Sequence, residues 1–269
     1  MKKRRGFIKD VAMGSVAFTS LPTLLNAFPA SADDEGGKTG KQTAANIVLV
    51  HGADADGSSW SKVIPILQAA GHNVVAVQLP LTSIVDDAAK ARRAIDKLDA
   101  PVVVVGHSFG GVVITQAAHS APNVSALVYV AAFAPDADES AADMVGRFPA
   151  LESAKYIIVD KNGFFAFPQD QFPRLFAQDV NPVEARVMAA VQGPADAARF
   201  PFKSGPPAWR EHPSWYVVAA ADGIIHPDLE RWMAKRMGAK TTVLPGASHA
   251  VMVSRPREVA NVILAAAKG

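Results

Sequence analysis

The 269-residue sequence contains no cysteine, so disulfides, thiolate metal sites and cysteine nucleophiles are excluded together. Charge is also scarce. Asp, Glu, Lys and Arg make up 19 % of the chain against 49 % hydrophobic residues, a balance that fits one sizeable buried core. Beyond Lys9 there is no basic run able to track a phosphate backbone, which argues against nucleic acid as a partner. The formal charge of +2 belongs to the N-terminus. Residues 1–32 hold five of the 27 basic residues (Lys2, Lys3, Arg4, Arg5, Lys9) and one of the 25 acidic ones (Asp10), so the remainder has 22 against 24, a net −2.

Met1 to Lys9 reads MKKRRGFIK, and uncharged residues run from Val11 to Ala32. A basic start, a mildly apolar middle and the small-residue site Ala30-Ser31-Ala32 predict an export signal over 1–32, cleaved after Ala32. Arg4-Arg5-Gly6-Phe7-Ile8-Lys9 resembles the twin-arginine export motif and departs from it at Lys3, where Ser or Thr is usual. The twin-arginine machinery is therefore an expected partner, and the mature chain is expected in the periplasm or outside the cell. A stable membrane anchor is not expected, because Ser15, Thr19, Ser20, Pro22, Thr23 and Asn26 make the stretch too polar. Residues 33–45 are polar and glycine-rich and read as a flexible lead-in.

From Asn46 the pattern changes. Short β-branched apolar runs, NIVLV (46–50), NVVAVQ (73–78), PVVVVG (101–106), ALVYVA (126–131), WYVVAA (215–220) and TTVLP (241–245), alternate with segments of helical periodicity. The helical segments are 59–70, 86–98, 109–120, 228–237 and 257–267. Such alternation predicts an α/β fold over 46–269, a mostly parallel sheet with helices on both faces. It fails between about 136 and 213, where prolines, phenylalanines and one helix at 182–191 predict a cap insertion without a clear buried strand.

Within this frame, Gly106-His107-Ser108-Phe109-Gly110 is G-x-S-x-G between a strand of four valines and a helix, the setting of a nucleophile elbow. A serine hydroxyl needs a base, and the base an orienting acid, in the chain order Ser, acid, His. His249, in the loop PGASHAVM after the last strand, fits the base better than His119, His212 or His226. Asp222, after WYVVAA, fits the acid; Asp136 and Asp138 are rivals, while Asp228 and Glu230 read as solvated first-turn residues. Oxyanion donors are expected at the backbone N–H of Phe109 and of Ala53, in VLVHGADADGSSW. Asp54-Ala55-Asp56-Gly57 mimics part of a calcium loop, but its twelfth position is Val63, so no metal is expected. Phe164, Phe165, Phe167, Phe172 and Phe176 in the cap suggest an apolar pocket, while the spacing of the last two also fits one face of a short helix packed on the core.

Together VLVHGADADGSSW, GHSFGGVV, LVYVAAFAPDADES, WYVVAAADGIIHP and GASHAVMVSRP resemble the α/β-hydrolase fold, in the branch of small esterases related to plant methylesterases, hydroxynitrile lyases and bacterial pyrethroid-type hydrolases. The resemblance covers roughly 46–268. It implies Ser108 as nucleophile, His249 as base, Asp222 as its partner, donors at Ala53 and Phe109, and His51 and Gly52 as supports of the oxyanion loop. It also puts Trp60 and His107 beside the substrate pocket, although a tryptophan opening a helix reads first as packed core. The lyases of that branch carry a lysine after the histidine and a glutamate before the serine, where this chain has Ala250 and His107. The expected activity is therefore cofactor-free hydrolysis of small to medium hydrophobic or aromatic esters. An amidase, lactonase or C–C hydrolase, a lyase-like enzyme, and a binding protein on the same fold are the alternatives.

Overall fold

The computed structural model describes residues 45–269; the expected export signal and all of the lead-in except Ala45 lie outside the described residues. The chain runs through β1 (Asn46–Val50), α1 (Ile64–Ala69), β2 (Asn73–Val77), α2 (Ile84–Ile95), β3 (Val102–Ser108), α3 (Gly110–Ala117) and β4 (Val124–Ala132). An insertion of short elements follows: α4 (Ala141–Val145), β5 (Ile158–Val159), β6 (Phe164–Ala166), α5 (Phe172–Leu175), α6 (Pro182–Val191) and β7 (Ala195–Asp196). Alternation resumes with β8 (Ser214–Ala219), α7 (Pro227–Arg236), β9 (Lys240–Leu244), α8 (Val251–Ser254) and α9 (Pro256–Ala266).

Six strands form one sheet in the order β2-β1-β3-β4-β8-β9, and every neighbouring pair is parallel. Its centre explains the valine runs. Val102 and Val104 of β3 pack into one apolar core and Val103 and Val105 into the other, because helices cover both faces and leave no solvated side for polar residues to alternate into. Each fully buried valine contributes roughly 1.5–3 kcal/mol of transfer free energy. Residues of α2, α3 and α7 fill the first core, and those of α1, α8, α9 and the cap helices α5 and α6 the second.

The winding places the functional edge. From β1 the chain moves outward to β2, then crosses back over β1 to β3 and continues in the opposite direction. The segments leaving β1 and β3 pack on opposite faces, so a crevice opens at the carboxyl ends of these two strands. The histidine–glycine loop after β1 and the serine after β3 both stand there.

Two differences from the sequence pattern have local causes. Helix α2 starts at Ile84, not Asp86, because the Ser83 side chain accepts a hydrogen bond from the Asp86 N–H at 3.0 Å and caps the first turn. The insertion contains a small antiparallel sheet in the order β5-β6-β7. Its strands of two or three residues are too short to leave a periodic signature.

Candidate active site

Ser108 is the last residue of β3, and α3 starts two residues later. Its φ is 54°, a left-handed conformation that costs a non-glycine residue about 1–3 kcal/mol and persists only when the fold enforces it. The neighbours permit the turn. A Cβ on Gly106 would lie 2.5 Å from the Gly110 carbonyl oxygen, so the residues flanking the serine must lack side chains. The Ser108 carbonyl accepts a hydrogen bond from the Phe133 N–H at 3.1 Å, tying the elbow to the end of β4. Phe109 caps α3, where N–H groups and the helix dipole favour developing negative charge.

The loop after β1 closes on this turn. A Cβ on Gly52 would lie 2.6 Å from Ser108 Cβ and 3.2 Å from Phe109 N, so only glycine lets the two backbones approach and brings Ala53 to the serine. His51 braces the loop: its Nε2 accepts from the Leu79 N–H at 3.0 Å, and its Nδ1–H donates to the Gly52 carbonyl at 2.8 Å. Burial lowers the His51 pKa and keeps the ring in that neutral tautomer.

His249 follows β9, and Asp222 follows β8 on the neighbouring strand. His249 Nδ1 and Asp222 Oδ2 are 2.5 Å apart with both side chains fully buried. Asp222 Oδ1 accepts from the N–H groups of Ile224 (2.6 Å) and Ile225 (2.9 Å), which orient the carboxylate. His249 Nε2 is buried without a hydrogen-bond partner among the described residues. With Nδ1–H turned to Asp222, Nε2 presents its lone pair, the state required of a general base.

Ser108 opens on a cavity of about 100 Å³. Ala53, Asp54 and Phe109 line its floor with Ser108, and Leu151, Ile157, Phe165, Phe167 and Phe176 of the insertion its other walls. Phe176 also touches the His249 ring edge-on, with centroids 4.7 Å apart. An elbow serine, a buried His–Asp pair and an apolar chamber together suit attack on an uncharged carbonyl.

A family model for the alpha/beta hydrolase family matches residues 47–262. The chain belongs to the alpha/beta hydrolase family. Over 251 residues it is 27 % identical to methylesterase 2 of Arabidopsis thaliana, covering 82 % of this chain and 95 % of that protein. It is 26 % identical over 241 residues to the alpha-hydroxynitrile lyase of the same plant, covering 80 % and 93 %. Its fold is similar to the crystal structure of a pyrethroid hydrolase from Sphingobium faniae JZ-2, with a TM-score of 0.71 and 20 % identity over 84 % of this chain and 98 % of that one.

In this alpha/beta hydrolase two expected pocket residues stand elsewhere. Trp60 and His107 do not line the cavity; both are 0 % exposed. Trp60 ends the helical turn Gly57–Trp60 on the face of the sheet opposite α3 and packs edge-on to His107, centroids 6.5 Å apart. His107 points to that same side because neighbouring strand residues alternate faces, while Ser108 is turned into the chamber. His107 instead supports the site from below. Its Nε2–H donates to the His249 carbonyl at 2.9 Å, and burial followed by the charge of His249 holds its pKa well below the ordinary histidine value.

The phenylalanines divide likewise. Phe165, Phe167 and Phe176 line the chamber, whereas Phe172 stacks on Phe176 at 4.5 Å within the second core and Phe164 lies on the short cap sheet. Asp136 is drawn off to Arg210, 2.5 Å away, and His119 to Glu211, 2.7 Å away. His226 borders the chamber while capping α7.

Three features were missed in the sequence. Glu230, expected to be solvated, is 0 % exposed. Its Oε2 accepts from the Ala219 N–H at 3.0 Å, and burial together with the nearby Asp222 charge pushes its pKa well above the usual carboxylate range. Only the crossing of α7 over β8 creates that environment; the i, i+3 and i, i+4 spacing of Leu229, Trp232 and Met233 gives the helix face but not the position of its neighbour. Arg199 of the insertion forms a fully buried ion pair with Asp87 of α2 at 3.4 Å and donates to the Leu81 carbonyl at 2.8 Å. Asp54, in the floor of the chamber, also borders a neighbouring groove beside Ser58 and Val253.

Proposed function

We propose that this alpha/beta hydrolase cleaves carboxylic esters through Ser108, His249 and Asp222. The observation that carries the proposal is the buried His249–Asp222 contact, with His249 Nε2 left without a partner behind a chamber that Ser108 opens. Ser108 Oγ adds to the carbonyl carbon as its proton passes to His249 Nε2, and Asp222 stabilises the imidazolium. The oxyanion is received by the N–H groups of Ala53 and Phe109. Collapse of the adduct breaks the bond to the alcohol oxygen, which leaves with the proton from His249. Water then attacks the acyl-enzyme by the same route, giving acid and free serine, so the reaction balances without a cofactor.

The related proteins support this reading, since methylesterases and a pyrethroid hydrolase are among them. The aromatic walls of the chamber favour small to medium hydrophobic or aromatic esters. Ala250, apolar and buried beside His249, offers no cation to hold a cyanide leaving group, which favours hydrolysis over the lyase alternative. The leader over 1–32 supports export of the folded chain by the twin-arginine route to the periplasm or beyond. Changing Arg4 and Arg5 to lysines is expected to leave the protein in the cytoplasm, read by cell fractionation.

The test of the chemistry is hydrolysis of p-nitrophenyl esters of increasing acyl length by wild type and Ser108→Ala. Turnover is expected to fall by about 10⁴-fold or more in the variant. Undiminished turnover would remove Ser108 from the mechanism.

A further inference from the structure

Among the described residues, Asp54 is the one acidic side chain in a chamber otherwise lined, apart from Ser108, Ser153 and His226, by apolar residues. It is 5 % exposed, and its Oδ1 is buried without a hydrogen-bond partner among the described residues. Arg199 supplies the nearest opposing charge but is already engaged with Asp87 at 3.4 Å and with the Leu81 and Asp196 carbonyls. Burial raises the Asp54 pKa to about 7, with Arg199 pulling the other way. The Phe167 N–H also addresses this carboxyl and opposes the rise, but Oδ1 is left without a donor, and an unfilled buried acceptor costs free energy until one arrives.

Its place in the chain says where that donor sits. Asp54 follows Ala53, whose N–H faces the substrate carbonyl oxygen in the proposed mechanism. Consecutive Cα atoms are about 3.8 Å apart, and Ala53, Asp54 and Ser108 line the same chamber, so Asp54 stands one residue from the oxyanion donor on the wall nearest the reacting carbonyl. Its φ of 57°, which Asp tolerates better than bulkier residues, turns the chain there.

We propose that Asp54 is a specificity-determining residue that selects esters carrying a hydrogen-bond donor, a hydroxyl or an ammonium, on the carbon next to the carbonyl. This rests on the ester-hydrolase reading of the same site. The donor satisfies the buried carboxyl oxygen, while a substrate bearing only hydrogen there leaves it unpaired. Sites of this kind discriminate by loss of a hydrogen bond more strongly than apolar pockets discriminate by size.

The test uses the methyl esters of phenylacetate, mandelate and phenylglycine, which share one skeleton and differ at that carbon by H, OH and NH₃⁺. Wild type is expected to favour at least one donor-bearing ester over the phenylacetate ester by about tenfold or more in kcat/KM. In Asp54→Gly, which suits the positive φ, the ratio is expected to fall towards one whatever the absolute rate. In Asp54→Asn, a preference for the hydroxyl survives because an amide oxygen still accepts, and a preference for the ammonium does not. A wild-type ratio near one, or a ratio that survives Asp54→Gly, overturns the assignment.

Calorimetry separates this from failure of the ester reading. Mandelamide and phenylacetamide are titrated into Ser108→Ala and into Ser108→Ala with Asp54→Gly. Tighter mandelamide binding that disappears in the second protein supports Asp54 even if no ester is turned over, and silence on the esters then counts against the ester reading alone. Equal binding of the two amides to Ser108→Ala counts against Asp54.

Discussion

The sheet edge and the insertion that roofs it build the same chamber by different means. At the edge, chemistry is set by backbone: a left-handed serine, glycines at Gly52 and Gly106 where a Cβ would clash at 2.6 and 2.5 Å, and a helix start at Phe109. In the insertion, position is set by particular side chains. Arg199 reaches Asp87, the Trp209 indole N–H donates to the Pro135 carbonyl at 2.9 Å, and Gln192 exchanges hydrogen bonds at 2.9 Å with both backbone groups of Phe167. The edge is thus specified locally and is intolerant of change. The insertion is anchored by contacts to distant parts of the chain and by the core residues of α5 and α6.

The sharpest test of the edge is Asp222→Asn, which keeps the shape of the buried pair but presents His249 with a group that cannot stabilise the imidazolium. Loss of about 10⁴-fold in kcat with little change in stability is expected, from ester kinetics and urea unfolding. A loss below tenfold would return Asp136 or Asp138 to consideration and weaken the contrast, since both lie at the start of the insertion.

Next in size is the anchor of the insertion. Arg199→Met leaves Asp87 buried and unpaired, for an expected loss of about 3–5 kcal/mol in unfolding free energy. Adding Asp87→Leu should recover much of it, because removing both charges costs far less than removing one. If the single change is neutral, the insertion is not held through this pair.

The smallest effect concerns Glu230, beneath the edge. Its raised pKa means that the native state binds a proton that the unfolded chain releases as pH rises above the ordinary carboxylate range. Stability from this group therefore falls with rising pH, by at most about 1.4 kcal/mol per unit, until its native pKa is passed. Glu230→Gln keeps an acceptor for the Ala219 N–H and removes that slope. The variant should gain on wild type in urea midpoints as pH rises above the ordinary carboxylate range, with ester turnover at pH 7 changed less than about threefold. Parallel pH curves would mean that Glu230 does not hold its proton.

The edge was the part legible in the sequence. G-x-S-x-G between a valine strand and a helix, Asp222 after one strand and His249 after the next mark their positions through short-range rules, because a sharp turn and a strand end are local events. The four inner strands were equally plain, since burial on both faces replaces alternation with continuous apolar runs, while the edge strands β2 and β9 are only partly buried. The lining was not. Phe167 and Phe172 look alike in sequence and end in the chamber and in the core, and Trp60 and His107 differ from true pocket residues only in which face of the sheet they meet.

By itself, then, the sequence determined the α/β order of the elements, the strained serine turn and the chain order of serine, acid and histidine, all of which follow from local propensity and from periodicity set by burial. Tertiary structure alone decided which side chains face the chamber, and that Asp54, Glu230 and the Arg199–Asp87 pair are out of water. Desolvation depends on what the rest of the chain brings alongside, and no short stretch of sequence carries that information.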